Sequence, residues 1–180
     1  MTNWVILFVR HGFENKLINI LNENIVQKGF VPFLPIKEFP FRKNGIVNKN
    51  IKLLFPGYIF IKTDLEVHLI AKELKKLIYI NIKNKNIYSI LHYGKNKDDI
   101  ILRKEERSFW ENLLDSRYCV SSSLGYKDGD KIMIISGAMV GMEGQIKKID
   151  RHKREAIVEL ELIGVVHRMK LMLEVIEKFI

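Results

Sequence analysis

The chain has a single cysteine, Cys119, so no disulfide can close within it. One unpaired thiol fits a reducing compartment, and a cytoplasmic setting is expected. Long apolar runs are also missing. The longest, Trp4 to Val9, is far shorter than the about 20 residues that span a bilayer. No membrane-spanning segment and no membrane partner are expected. No basic stretch precedes that run and no small-residue cleavage site follows it, so a signal peptide is not expected either. The signatures of catalysis are absent as well. His11, His68, His92, His152 and His167 have no partners at metal-ligand spacing, and Cys119 has no Cys or His close by. There is no phosphate-cradling glycine loop ending in Lys-Ser/Thr, and no nucleophile elbow. Gly137, Gly141 and Gly144 lie between strand candidates with no helix following, which rules out a dinucleotide loop. Asp98-Asp99 and Asp128-Gly129-Asp130 sit beside lysines and turn formers and read as solvated turns. The expectation is a protein that is not an enzyme and has no catalytic residues, metal or cofactor.

What is present suits a globular protein with real cores: 47% hydrophobic and 28% charged residues over 180 positions. The net charge is +9, which favours polyanionic partners. Lys, Asn and Ile are abundant throughout, however, so local charge says more than the total. Residues 1–115 carry +7 and residues 116–180 only +2, yet Lys147 to Arg154 holds five basic residues and one acid. Arginine is scarce, at eight residues, so Arg151, Arg154 and Arg168 are not easily attributed to lysine-rich drift. Arginine also offers a planar fork that matches phosphates and guanine edges.

Two textures follow one another along the chain. Trp4–Val9 reads as a strand with a turn at His11-Gly12. Phe13, Leu17, Ile20 and Leu21 then form a helical apolar stripe, with Glu14 in its first turn and Gly29 after its end. Phe30 to Phe41 contains Pro32, Pro35 and Pro40 and reads as short extended pieces and turns. The polar stretch 43–52 predicts an exposed hairpin or loop, and Ile51–Ile61 a strand interrupted at Pro56-Gly57. A helix is expected over Glu66–Leu77, short strands over Ile78–Ile82 and Ile87–Leu91, and a helix over Arg103–Leu114. The segment 116–126, with Ser121-Ser122-Ser123 and Gly125, has no period and reads as a linker. Beyond it, strands are expected at Lys131–Ile135, Gln145–Asp150, Ala156–Leu162, Val165–Lys170 and Glu174–Glu177, punctuated by glycines. That pattern predicts a small antiparallel barrel. The expected organisation is an α+β domain over 1–115, a linker over 116–126 and an all-β domain over 127–180.

Two segments carry a family resemblance. Phe55-Pro56-Gly57-Tyr58-Ile59-Phe60-Ile61 resembles the aromatic strand of the NusG N-terminal domain, and Trp4 to Arg10, Gly12 and Glu14 match the opening strand and turn. Asp128-Gly129-Asp130-Lys131-Ile132, through Gly137, Gly141 and Gly144 to Ile149-Asp150, resembles the KOW motif. The chain is thus similar to the NusG family of transcription elongation factors. The resemblance implies an antiparallel sheet with flanking helices followed by an SH3-like barrel. Within the family it is most similar to the LoaP-type antiterminators, through Lys148 to Ala156 and the ending Leu173 to Lys178. General NusG proteins carry aromatic residues in the barrel loops, where this chain has Met139, Met142 and Ile163.

The resemblance also implies sites. Trp4, Phe55, Tyr58 and Phe60 would form an apolar pocket for the tip of the clamp helices of the largest RNA polymerase subunit; the plain alternative is a sheet core. Lys147, Lys148, Arg151, His152, Lys153, Arg154, Arg168 and Lys170 would bind an RNA hairpin in the nascent transcript; the plain alternative is a solvated turn. A monomer is expected, with the linker letting the barrel search for RNA. Two alternatives stand beside this reading. One is a general NusG-type adaptor coupling polymerase to a ribosomal protein or Rho. The other is a KOW-type ribosomal protein, which leaves the first 115 residues unexplained.

Overall fold

The computed structural model describes residues 2–82, 86–129 and 131–176, with 42, 43 and 80–82 as backbone only. Asp130, Glu177 and Lys178, used in the sequence reading, lie outside the described residues. The chain forms two compact units, one of Met1–Pro35 and Phe55–Arg107, the other of Ile36–Leu54 and Ser108–Ile180.

The first unit is built on a four-stranded sheet of β1 (Asn3–Val9), β2 (Phe30–Phe33), β5 (Tyr58–Thr63) and β6 (Ile87–Ile90), in the order β2-β5-β1-β6. All three joins are antiparallel. Alternation along β1 and β5 divides the side chains between two faces. Val5, Leu7, Val9, Ile59 and Ile61 form one core with Leu17, Leu21 and Ile25 of α1 (Glu14–Ile25) and Ile70, Leu74 and Leu77 of α2 (Val67–Ile82). Trp4, Ile6, Phe8, Tyr58 and Phe60 fall on the other face. Residues 78–82, expected as a strand, are instead the last turns of α2. Ile70, Leu74 and Leu77 extend one buried stripe at helical spacing up to that point, and the helix continues through residues whose β-branching suggested a strand.

The second unit holds two sheets. β3 (Ile36–Lys43) and β4 (Ile46–Leu53) form a hairpin, with a left-handed Asn44-Gly45 turn between them. β7 (Cys119–Val120) joins β3 in parallel, giving the order β4-β3-β7. The other sheet has five strands: β8 (Ser123–Asp128), β9 (Lys131–Ser136), β10 (Ile146–Asp150), β11 (Glu155–Leu162) and β12 (Val165–Ile176), in the order β10-β11-β12-β8-β9. Ala156, Val158, Leu160 and Leu162 alternate into its core, with Met169, Leu171 and Leu173 from β12. α3 (Lys104–Leu113) precedes this run in the chain, with Trp110 and Leu113 buried.

Three expectations change here. The segment 116–126 contains β7 and the start of β8, where a linker was expected. Ser123 is structural: it is 3% exposed and its hydroxyl accepts the Met139 N–H at 2.9 Å. The two expected last strands are one continuous strand, β12, because its first half pairs with β11 while Leu173–Ile176 pairs with β8. The β12–β8 join is parallel, so the sheet is not wholly antiparallel.

Candidate functional site

The aromatic strand begins at a turn that the sequence builds in full. Pro56 and Gly57 occupy the two central positions, Gly57 has φ of 87°, and the Tyr58 N–H donates to the Phe55 carbonyl at 3.2 Å. A type II turn requires that positive φ at its third residue, which glycine supplies without strain. The turn is tied down from outside. Glu14 is buried at the start of α1 and accepts the Gly57 N–H at 2.7 Å, while the Gly57 carbonyl accepts the Val9 N–H at 2.8 Å. Burial on its own would raise the Glu14 carboxyl. The N–H groups of Glu14, Gly57 and Gly12 and the His11 ring outweigh it and hold the group below its ordinary value.

The turn folds Phe55 back onto the face of Tyr58 and Phe60, with ring centroids 6.1 and 5.7 Å away. Trp4 packs edge-on against Phe33 at 5.3 Å and Phe60 at 6.4 Å, with the Lys62 ammonium 4.5 Å from its ring. Trp4, Phe33, Phe55 and Phe60 are all buried. Tyr58 is half-buried. Its ring meets Phe8 at 5.5 Å, and Phe8 meets Tyr88 at 5.1 Å, so an aromatic row crosses β5, β1 and β6. Phe8 and Tyr88 are 38% and 51% exposed. The accessible part of the aromatic face is therefore Tyr58, Phe8 and Tyr88, with Trp4, Phe55 and Phe60 as its packed support.

The basic run forms the end of β10, a turn and the start of β11. Asp150 organises the turn by accepting the Lys153 N–H at 2.9 Å, and that bond, ahead of the nearby charges, holds its carboxyl low. Arg154 closes the turn with φ of 53°, its N–H donating to the Arg151 carbonyl at 3.2 Å. The cations differ in their surroundings. Arg154 is half-buried and pairs with Glu174 at 3.0 Å. Glu159 pairs with both Arg168 at 2.9 Å and Lys147 at 3.3 Å, and those two bonds, Arg168 first, lower its carboxyl. Lys170 lies 3.7 Å from Glu155, and Lys153 lies 3.7 Å from Asp150. Lys148 and Arg151 are exposed and have no ion-pair partner among the described residues; His152 is also exposed at the turn.

A family model described as "Transcription termination factor nusG" matches residues 2–109, and one described as "KOW motif" matches residues 129–161. The chain belongs to the NusG family. Its curated relatives include "Transcription termination/antitermination protein NusG" of Streptococcus pyogenes serotype M3 and serotype M1. Each is 23% identical over 177 residues, covering 88% of this chain and 92% of the relative.

Within this NusG-family chain, the structure brings the eight basic positions to one end and one face of the β10-β11-β12 sheet, interleaved with carboxylates. The aromatic row belongs to the other unit. Met139, Met142 and Ile163 are buried. The exposed apolar residues nearby in the chain are Met133, Ile135, Val140, Val165 and Val166. Phe8 and Tyr88 were missed in the sequence. Phe8 was findable, because it shares the Trp4 face by simple alternation; Tyr88 was not, because the β1–β6 register shifts between Phe8 and Val9. Among the described residues no helix is long and apolar enough to cross a membrane, and no three or more His, Cys, Asp or Glu side chains are grouped to hold a metal.

Proposed function

We propose that this chain is an antiterminating elongation factor of the LoaP type. Its first unit binds the clamp helices of the largest RNA polymerase subunit through Tyr58, Phe8 and Tyr88. Its β10–β11 turn binds a structured leader RNA in the nascent transcript. It acts in the cytoplasm as a monomer, by binding alone, with no chemical step and no cofactor. The observation that carries the reading is the turn itself: Lys148 and Arg151 stand exposed and, among the described residues, have no carboxylate partner, on a face where most other cations are already paired. Arg151 is the side chain expected to read a base edge, since Arg154 is held by Glu174.

The test is a titration of the full chain and of Arg151→Lys against a hairpin selected from a random RNA pool and a scrambled control. A base-reading arginine costs about 1–3 kcal/mol on the selected hairpin and little on the control. Equal losses on both reduce the turn to an electrostatic patch. That outcome favours a second reading, the general adaptor that couples polymerase to a ribosomal protein or Rho. The exposed Met133, Ile135, Val140, Val165 and Val166 support it as apolar contact surface for a protein.

A further inference from the structure

We infer that the β3–β4 hairpin is the second wall of the RNA site, and that a single RNA strand lies between it and the β10–β11 turn. The inference rests on reading that turn as RNA-binding, and it adds a part of the chain that the KOW match over residues 129–161 does not include. Hairpin and turn belong to the same compact unit. Pro40 of β3 and Val47 of β4 face His152, Lys153, Arg154 and Glu155 across an open cleft of about 280 Å³. One wall is apolar and the other carries cations and acceptors. An apolar wall suits the flat face of a base or a ribose, and a cationic wall suits phosphate, the usual division in single-strand grooves.

Two lysines, Lys37 and Lys52, stand at the root of the hairpin. The Lys37 ammonium donates to the Lys170 carbonyl at 2.7 Å, which brings the root of the hairpin onto β12. Lys52 is the register partner of Lys37 and holds its ammonium 3.9 Å from the Phe39 ring. Burial pushes the Lys37 ammonium down; Glu155 opposes this, while Lys52 and Lys170 add to it. Lys37 thus has two lysine neighbours, Lys52 and Lys170, and one carboxylate, Glu155, which is itself paired with Lys170. An added phosphate relieves that repulsion. RNA is favoured over DNA because Glu155 and His152 line the cleft with acceptors for a 2′-hydroxyl, a group DNA lacks.

The experiment uses the full chain and an RNA hairpin of about ten base pairs with a single-stranded 3′ tail, alongside the DNA of the same sequence. A photo-crosslinking benzoylphenylalanine replaces Val47, and in a control replaces Tyr79, an exposed residue of the other unit. Crosslinking from position 47 and not from 79 is expected. Lys52→Ala is expected to weaken RNA binding severalfold and to lower the salt slope by about 0.7, the share of one single-strand phosphate contact. If Arg151→Ala weakens binding while Lys52→Ala does not and position 47 fails to crosslink, the hairpin is no part of the site and the barrel reading survives. If neither substitution weakens binding, both readings fall. DNA binding as tight as RNA overturns the assignment of the cleft to RNA.

Discussion

Replacing Glu159 with Gln should strengthen RNA binding and steepen its salt dependence. Glu159 sits on β11 directly opposite Arg168 and holds both Arg168, at 2.9 Å, and Lys147, at 3.3 Å. The two cations hold its carboxyl below the usual range, so at neutral pH it is fully charged and partly cancels them. Gln keeps the shape and removes the negative charge. If both freed cations reach phosphates, two contacts are added at 0.7 to 0.9 of salt slope each, about 1.4–1.8 in total. Between 50 and 200 mM salt the gain over wild type should then shrink by about 7–12-fold. The pair is solvent-screened, so the fold should be little affected. Fluorescence anisotropy of a labelled hairpin over a salt series reads both affinity and slope. An unchanged slope would show that Lys147 and Arg168 face away from the RNA, and would remove them from the site.

Phe8→Ala should weaken polymerase binding by about 1–3 kcal/mol with the fold intact, because Phe8 is exposed; Tyr58→Ala should do the same. Pulldown with purified polymerase, with circular dichroism as the folding control, checks both, and full binding by the folded variants would refute the aromatic row as the contact. Glu14→Gln should cost about 1 kcal/mol at pH 7, the difference between a charge-assisted and a neutral hydrogen bond to Gly57. Because the folded Glu14 carboxyl is depressed, its contribution is full above the ordinary value of 4.5 and is lost as the pH falls through the lower folded value. Thermal melts should therefore show wild type and Glu14→Gln converging on acidification; parallel curves would refute the assignment. Gly137→Ala should destabilise the second unit by about 2–4 kcal/mol, since φ is 94° and a Cβ would lie 2.2 Å from the Ser122 carbonyl oxygen. A urea midpoint equal to wild type would contradict that geometry.

Much of the fold was legible because periodicity is local. The α1 stripe, the alternation of β11 and the split between a mixed and an all-β half all follow from spacing within a few residues. The aromatic turn was legible for the same reason, since Pro56-Gly57 determines it within four positions. Accessibility was not legible. Trp4, Phe55, Phe60 and Tyr58 have similar chemistry, and only the packing around them buries three and leaves Tyr58 half-exposed. Nor was charge pairing. Arg151 and Arg154 are equivalent as letters, but β12 brings Glu174 to Arg154 and no carboxylate to Arg151 among the described residues.

The serine run shows why the linker was misread, and the reason bears on mechanism. Small polar residues suit a flexible tether, because their side chains need no core. They suit a crowded crossing equally well, because their hydroxyls and exposed N–H groups can satisfy distant partners. The deciding partners lie far away in sequence: the Ser122 N–H donates at 2.8 Å to Glu38, 84 residues earlier, and the Ser123 hydroxyl accepts from Met139, 16 residues later. Glu38 also pairs with Lys49 at 3.1 Å, so the hairpin and the serines share one carboxylate. Burial alone would raise that carboxyl; the Ser122 N–H and the Lys49 ammonium overcome it and keep it charged. The hairpin and the serine segment are thus tied to each other within the second unit. On the proposed reading, hairpin and turn meet the RNA as parts of one compact unit. RNA binding would then cost less conformational entropy than if the two walls had first to be ordered.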